Sequence, residues 1–357
     1  MAALAGEQKM EAAEEGHPLA AKLLQAEPLF RKAVEDCEGE DGADPLELAG
    51  VLIAYGGLLH DLAKQDEALG SLQKALGLQE AALDADHPDL ATTLNFLARV
   101  QKDRGQLDEA ESLSRRSLSI REAKLEAGHP DTASSINTLG RVLHAQGRYE
   151  DAEACYKQAH DMRESALGPE HVHVACSLNN LGQLMRELGR LHEAEPALRQ
   201  ALALCEAGFS PGHPYTATCL GNLGGLMQAQ GRLDEAEDAA RRSLAMKEVA
   251  LGPDHPDVAV SEANLQLVLN AQAAPVEQEA ATPAKATAAP KKAEAAPTGK
   301  VYGTPKTKAV GLGTPRRKSR PDAGAGSDKA EMERRDKALK SVLQNQAKLV
   351  TSHQRLI

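Results

Sequence analysis

One interval governs this chain. The dipeptide His-Pro stands at His87, His129, His213 and His255, with His171-Val172 in the place between, and 42 residues separate each from the next. The Ala of a Glu-Ala pair recurs at the same spacing, at Ala68, Ala110, Ala152, Ala194 and Ala236. A unit of this size cannot bury an apolar face alone. Neighbours must stack and share a continuous core, so the chain folds as a repeat array rather than around one centre.

The interior of the unit selects the kind of array. Counting from each His, Leu falls ten on (Leu97, Leu139, Leu181, Leu223) and Gly or Ala eleven on (Ala98, Gly140, Gly182, Gly224). Gly falls eighteen on (Gly105, Gly147, Gly189, Gly231), Ala twenty-three on, and Ala or Ser thirty on (Ser117, Ala159, Ala201, Ser243). Pro after His suits the first turn of a helix, whose N–H groups lack partners anyway. Gly eighteen on is the favoured stop. The spacing therefore predicts a helix A of about 16 residues and a helix B of about 18. Helix B starts at Leu/Tyr-x-Glu-Ala and keeps the 3.6 period, as in Ala152, Cys155, Tyr156, Ala159 and Met162. Small residues mark where helices cross closely. With no Trp, three Phe and five Tyr, the core must be Leu, Ala, Val and Met, which also suits helix-on-helix packing.

The expected layout is a frayed or disordered stretch over 1–18 and a helical array over 19–272. The array comprises a half unit, five full units from about 45, 87, 129, 171 and 213, and a capping helix from 255. An Ala/Pro/Lys low-complexity basic linker over 273–326 cannot bury enough apolar surface to order itself. An amphipathic helix over 327–357 follows, with Leu339, Val342, Leu343, Gln346, Leu349 and Val350 on one stripe. Charge divides along the same line. Residues 1–270 hold 24 basic and 44 acidic side chains, and residues 271–357 hold 17 and 8. An acidic body thus carries a basic tail.

The Leu, Gly, Ala and Ser spacing resembles the tetratricopeptide repeat. The 42-residue form with His-Pro, Leu-Asn-Asn-Leu and Gly-Arg-x-x-Glu-Ala-Glu is similar to the repeats of kinesin light chains and nephrocystin-3-type proteins. No heptad coiled coil of the light-chain kind stands before Leu19, so the likeness is expected to extend to the repeat and not to a motor subunit. The resemblance implies an all-α, right-handed α-solenoid of helix pairs whose A helices line a concave groove. Positions five, eight, nine, twelve and fifteen after the His would then face it. The candidates are Asn95, Arg99 and Lys102; Ser134, Asn137, Arg141 and His144; Asn179, Asn180, Gln183 and Arg186; and Asn222.

That set contains no carboxylate, although the body is strongly acidic. Asn amides can bond a peptide backbone in both directions and guanidinium groups favour carboxylates, so an extended, acidic peptide is the expected partner. The other role for the Asn residues is to bond the neighbouring helix and set the angle between units. If they face the peptide, Asn137→Ala with Asn179→Ala is expected to weaken binding and leave thermal stability nearly unchanged.

Other chemistry finds little footing. His residues one unit apart stand about 10 Å apart, too far to share a metal. No nucleophile elbow, phosphate loop or metalloprotease helix occurs, so neither catalysis nor a cofactor is expected. Gly221 to Gly225 lie inside a helix A, where they are expected to allow close helix packing or, with side chains missing, to widen the groove. Five scattered cysteines read as reduced thiols in a cytoplasmic protein, with cytoskeletal or ciliary association as a further expectation. No apolar run is long enough to span a membrane. The basic cluster Arg316, Arg317, Lys318 and Arg320 could meet an anionic surface or be a solvated linker, and the last helix could meet a partner helix, a second copy of itself in a coiled coil, or the groove. It lacks the interleaved aromatics of specific nucleic-acid binding. The expected function is a non-enzymatic adaptor. The alternative is a structural component of a larger cytoskeletal or axonemal assembly, anchored by the tail.

Overall fold

The computed structural model describes residues 18–39 and 44–273. The N-terminal stretch before Pro18, the rest of the basic linker after Ala273 and the C-terminal amphipathic helix lie outside the described residues. Among those described there are twelve α-helices and no strand. They are α1 (Pro18–Gly39), α2 (Pro45–Asp61), α3 (Gln65–Ala82), α4 (Pro88–Asp103), α5 (Leu107–Lys124), α6 (Pro130–Ala145), α7 (Tyr149–Leu167), α8 (Val172–Glu187), α9 (Leu191–Gly208), α10 (Pro214–Ala229), α11 (Leu233–Leu251) and α12 (Pro256–Ala273). Helices pack in consecutive pairs, α2 on α3 through α10 on α11, and each pair packs on the next. The described part is an α-solenoid.

The recurring His is a helix cap. At His87, His129, His171, His213 and His255 the ring Nδ1 accepts the backbone N–H two residues on, at 3.1–3.3 Å. The imidazole thus satisfies one of the donors that a helix start leaves open. Asp44 does the same for Leu46 at α2. Gly147 shows how helix A ends. At φ +76° it lets its own N–H reach His144 O and the Arg148 N–H reach Leu143 O, both at 2.9 Å, the paired closure that a left-handed residue permits. Ala63 holds the same place after α2 at φ +59° and bears the strain of a Cβ there.

Close crossings follow the small residues. A Cβ added at Gly182 would come within 2.5 Å of Leu198 Cγ, and one at Gly140 within 2.8 Å of the Tyr156 ring. Ala68, Ala110, Ala152, Ala194 and Ala236 are all fully buried. Units are also clamped by charge. Arg148, Arg190 and Arg232, each directly after the stop Gly, reach back to Glu111, Glu153 and Glu195 of the preceding unit at 2.8–3.0 Å. Each also pairs within its own unit, with Asp151, Glu193 or Glu235.

The array turns back on itself. Helix α1 packs against α11, and His255 Nε2 lies 3.2 Å from Asp61 O. Since His255 Nδ1 accepts the Asp257 N–H, the ring proton sits on Nε2 and donates to that carbonyl.

Candidate functional site

Neighbouring A helices meet with an offset of 43, one more than the period. Position eight of one unit therefore meets position nine of the next. Asn180 Nδ2 donates to Asn137 Oδ1 at 2.9 Å, and Asn222 Nδ2 donates to Asn179 Oδ1 at 3.0 Å. Asn137 is 5% exposed and Asn179 3%. The ladder stops below, where the next rung would join Asn95 to Thr138. The Thr138 hydroxyl instead donates to Ser134 O, and the buried Asn95 Oδ1 has no hydrogen-bond partner.

The same offset pairs position fifteen with position sixteen. His60 Nε2 lies 2.8 Å from Asp103 Oδ2, and His144 Nε2 lies 2.7 Å from Glu187 Oε2. The concave set drawn from helical spacing contains no carboxylate, yet Asp61, Asp103 and Asp257 line the central cavity. The signal lay in the acid directly after the position-fifteen side chain, which a list taken from one helix face passes over.

Two polar clusters result. In the first, Lys102 pairs with Asp103, and Arg99 is 5% exposed, 5.6 Å from the centre of the Phe96 ring. Burial lowers the proton affinity of both cations, and the Arg141 charge lowers it further. Burial alone would raise the Asp103 carboxyl, but the His60 hydrogen bond and the charges of Lys102 and Arg141 outweigh it and hold it well below the usual carboxylate range. In the second cluster Gln183 Nε2 donates to Glu187 Oε1 at 3.0 Å, and His144 Nδ1 is 3.4 Å from the Tyr156 hydroxyl.

Arg186 fills the space left by Gly225, where a Cβ would come within 2.8 Å of its Nη1. Its Nε is buried without a hydrogen-bond partner. A cavity of about 130 Å³ lies there, between Arg186, Gly221, Asn222, Gln228 and Asn264. The larger cavity, about 540 Å³ and open to solvent, is lined from α2, α4, α6, α8, α10 and the start of α12, with Leu23 of α1, Gln65 of α3 and Leu251 of α11. Arg141, Asn179, Asn180 and Gln183 line it, together with His60, Asp61 and His255. Ser134 bonds its own helix at Pro130 O, 3.3 Å away.

The site candidates thus divide by geometry. Asn137 and Asn179 are buried acceptors that join units, so their paired replacement is now expected to cost stability. Arg141, Asn180 and Gln183 line open space, and Asn179 reaches the wall of the same cavity. Among the described residues no helix is long and apolar enough to cross a membrane, and no group of three or more His, Cys, Asp or Glu side chains is placed to hold a metal.

A tetratricopeptide repeat model matches residues 47–123, 89–165, 131–207 and 173–248, more than half of the chain. Nephrocystin-3 of Homo sapiens is 41% identical over 66 residues, and that of Xenopus laevis 39% over 66. These matches span 18% of this chain and 5% of the length of either relative. Among solved structures, a kinesin-light-chain repeat protein of Podosopora anserina aligns at TM-score 0.45 and 24% identity, covering 57% of this chain and 96% of that one. BtubC (BKLC) of P. vanneervenii aligns at 0.48 and 20%, covering 67% and 93%. The chain belongs to the tetratricopeptide repeat family, with 42-residue units similar to those of nephrocystin-3, and such repeats make it a protein-interaction scaffold.

Proposed function

We propose that this protein is a cytoplasmic, non-enzymatic adaptor that holds an extended, acidic peptide segment in the open cavity lined mainly by its A helices. The observation that carries this reading is the basic and amide lining of that cavity by Arg141, Asn180 and Gln183 beside Asp103, which pairs with Lys102; burial, and then the Arg141 charge, disfavours the charged forms of Arg99 and Lys102. A carboxylate entering beside Arg141 relieves that repulsion and gains a charge-assisted hydrogen bond. Asn180 and Gln183 line the same cavity and supply amides for a peptide backbone. The carboxylates already present set a limit, because they favour a peptide with spaced acidic residues over a continuous acidic run.

The test is fluorescence anisotropy with the full chain and random acidic, neutral and basic peptides of about twelve residues. Acidic pools bind best and weaken with salt. Arg141→Glu lowers that affinity by at least about tenfold, as expected for one charge-assisted contact, while the circular dichroism melt stays intact. Equal binding of acidic and basic pools, or an unchanged affinity in the variant, sinks the proposal.

A further inference from the structure

One junction departs from a pattern kept along the array. Counting from positions 45, 87, 129, 171 and 213, the helix-B residue thirty-four on faces the helix-A residue six after the next capping His. Thr93 Oγ1 donates to Gln79 Oε1 at 2.6 Å, Arg121 Nη1 donates to Ser135 Oγ at 2.8 Å, and Arg163 Nη1 donates to Ser177 Oγ at 3.0 Å. Lys247 and Ser261 hold the two places at the last junction, and both are buried. A long polar side chain beside a hydroxyl is thus the rule, hydrogen-bonded at the first three of these junctions, while at the last the Ser261 hydroxyl donates to Asp257 O. Between α9 and α10 both members change together, to Cys205 and Cys219. Their sulfurs stand 3.6 Å apart, and both residues are fully buried.

Replacing one partner alone would strand a buried polar group, so a change at one position calls for a change at the other. Any matched apolar pair would serve that need. Two thiols in contact are the pair that can also become a covalent link. We propose that Cys205 and Cys219 are a dithiol that oxidises to an intramolecular disulfide, locking the unit capped by His171 to the unit capped by His213. Cys176 lies in the same apolar cluster, but no metal-holding group of three exists among the described residues. The third thiol therefore does not make this a metal centre.

The reaction balances with a peroxide as oxidant. One thiol takes a hydroxyl from hydrogen peroxide, becomes a sulfenic acid and releases water. The second sulfur attacks that sulfenic sulfur. The S–O bond breaks, and the hydroxyl leaves as water with the second thiol's proton. Two thiols lose two electrons and two protons, and one peroxide becomes two waters. The sulfurs must close from 3.6 Å to about 2.05 Å, which rotation of the two side chains and a small helix shift can supply. Formation is slow, because the Cys205 contact and burial raise the Cys219 thiol well above its ordinary value and the thiolate is the nucleophile. Once made, the bond is shielded from reductants by the same burial. It would stiffen the stretch of the groove where Asn222 meets Asn179 and Arg186 covers Gly225.

The full chain is treated with graded hydrogen peroxide, denatured, alkylated and digested without reductant for mass spectrometry. A Cys205–Cys219 linked peptide appears, lighter by two hydrogens and reversed by dithiothreitol. The oxidised chain melts about 5 °C higher than the reduced one. Cys176→Ser keeps the link. The half-buried Cys37 and Cys155 report that oxidant is present. If Cys205 and Cys219 remain alkylatable after those two are consumed, or if either pairs with Cys176 instead, the proposal is overturned.

Discussion

Removing the asparagine ladder tests how the units hold their angle. Asn137→Ala strips the acceptor of the Asn180 amide at 2.9 Å, and Asn179→Ala that of the Asn222 amide at 3.0 Å. Each lost bond costs about 1 kcal/mol net. The figure stays near that mean because Asn180 and Asn222 are half-buried, and water can reach the donors left behind. Small cavities at two nearly buried positions add a fraction more. The double variant should therefore lose about 2–3 kcal/mol, or roughly 4–10 °C in a domain of this size. Urea and thermal melts followed by circular dichroism measure it. A cycle of Asn137→Ala, Asn180→Ala and both should return a coupling of about 1 kcal/mol. A double variant that melts within a degree of the wild type would refute the reasoning, and would return both side chains to the partner-facing role.

The cap, the strained turn and the charge clamps each yield a further expectation. His129→Ala should cost about 1 kcal/mol in a urea melt, and His129→Asn should recover most of it, because an Asn oxygen can also accept the Asp131 N–H. Ala63→Gly should stabilise by about 0.5–1 kcal/mol, as relief of the left-handed strain exceeds the added freedom of the unfolded chain. Contacts from Gln230, Arg232 and Arg199 hold the Glu195 carboxyl at about 2, below its ordinary 4.5. A depressed carboxyl stabilises the fold above its unfolded value, so this contribution is complete above about pH 4.5 and is lost as pH falls toward 2. Glu195→Gln should flatten that part of the melting temperature profile, and an unchanged slope would contradict the clamp.

The unit and its two helices were legible because they rest on local rules. Proline at a helix start, glycine at a stop and alanine at a crossing each follow from the geometry of one helix or one pair. The histidine cap was half legible: its place at the helix start was plain, but its ring nitrogen as acceptor was not. The groove was harder. Helical spacing named Arg141, Asn180 and Gln183, which line the cavity, and also Asn137 and Asn179, whose oxygens join neighbouring helices, Asn179 doing so at the cavity wall. Nothing at position eight distinguishes a buried amide from an open one until the neighbouring helix is set at its offset of 43. The same offset hid Asp103 and Glu187, which lie beside the concave positions of their own helix and opposite the histidine of the one before. The contact of α1 with α11 was not legible at all, since it sums small rotations over several units.

That end-to-end contact sets a rule on length. An open stack tolerates gain or loss of a whole unit, because each interior junction is remade with the same partners. Here the His255 ring and the Asp61 carbonyl find one another only if the turns accumulated between them are of the right number. Deleting residues 130–171, or duplicating them, would preserve every type of interior junction and still part α1 from α11. The number of units between α1 and α11 is therefore fixed by that contact. Variation in unit count, harmless in a linear array, would here break the contact between its first and last turns.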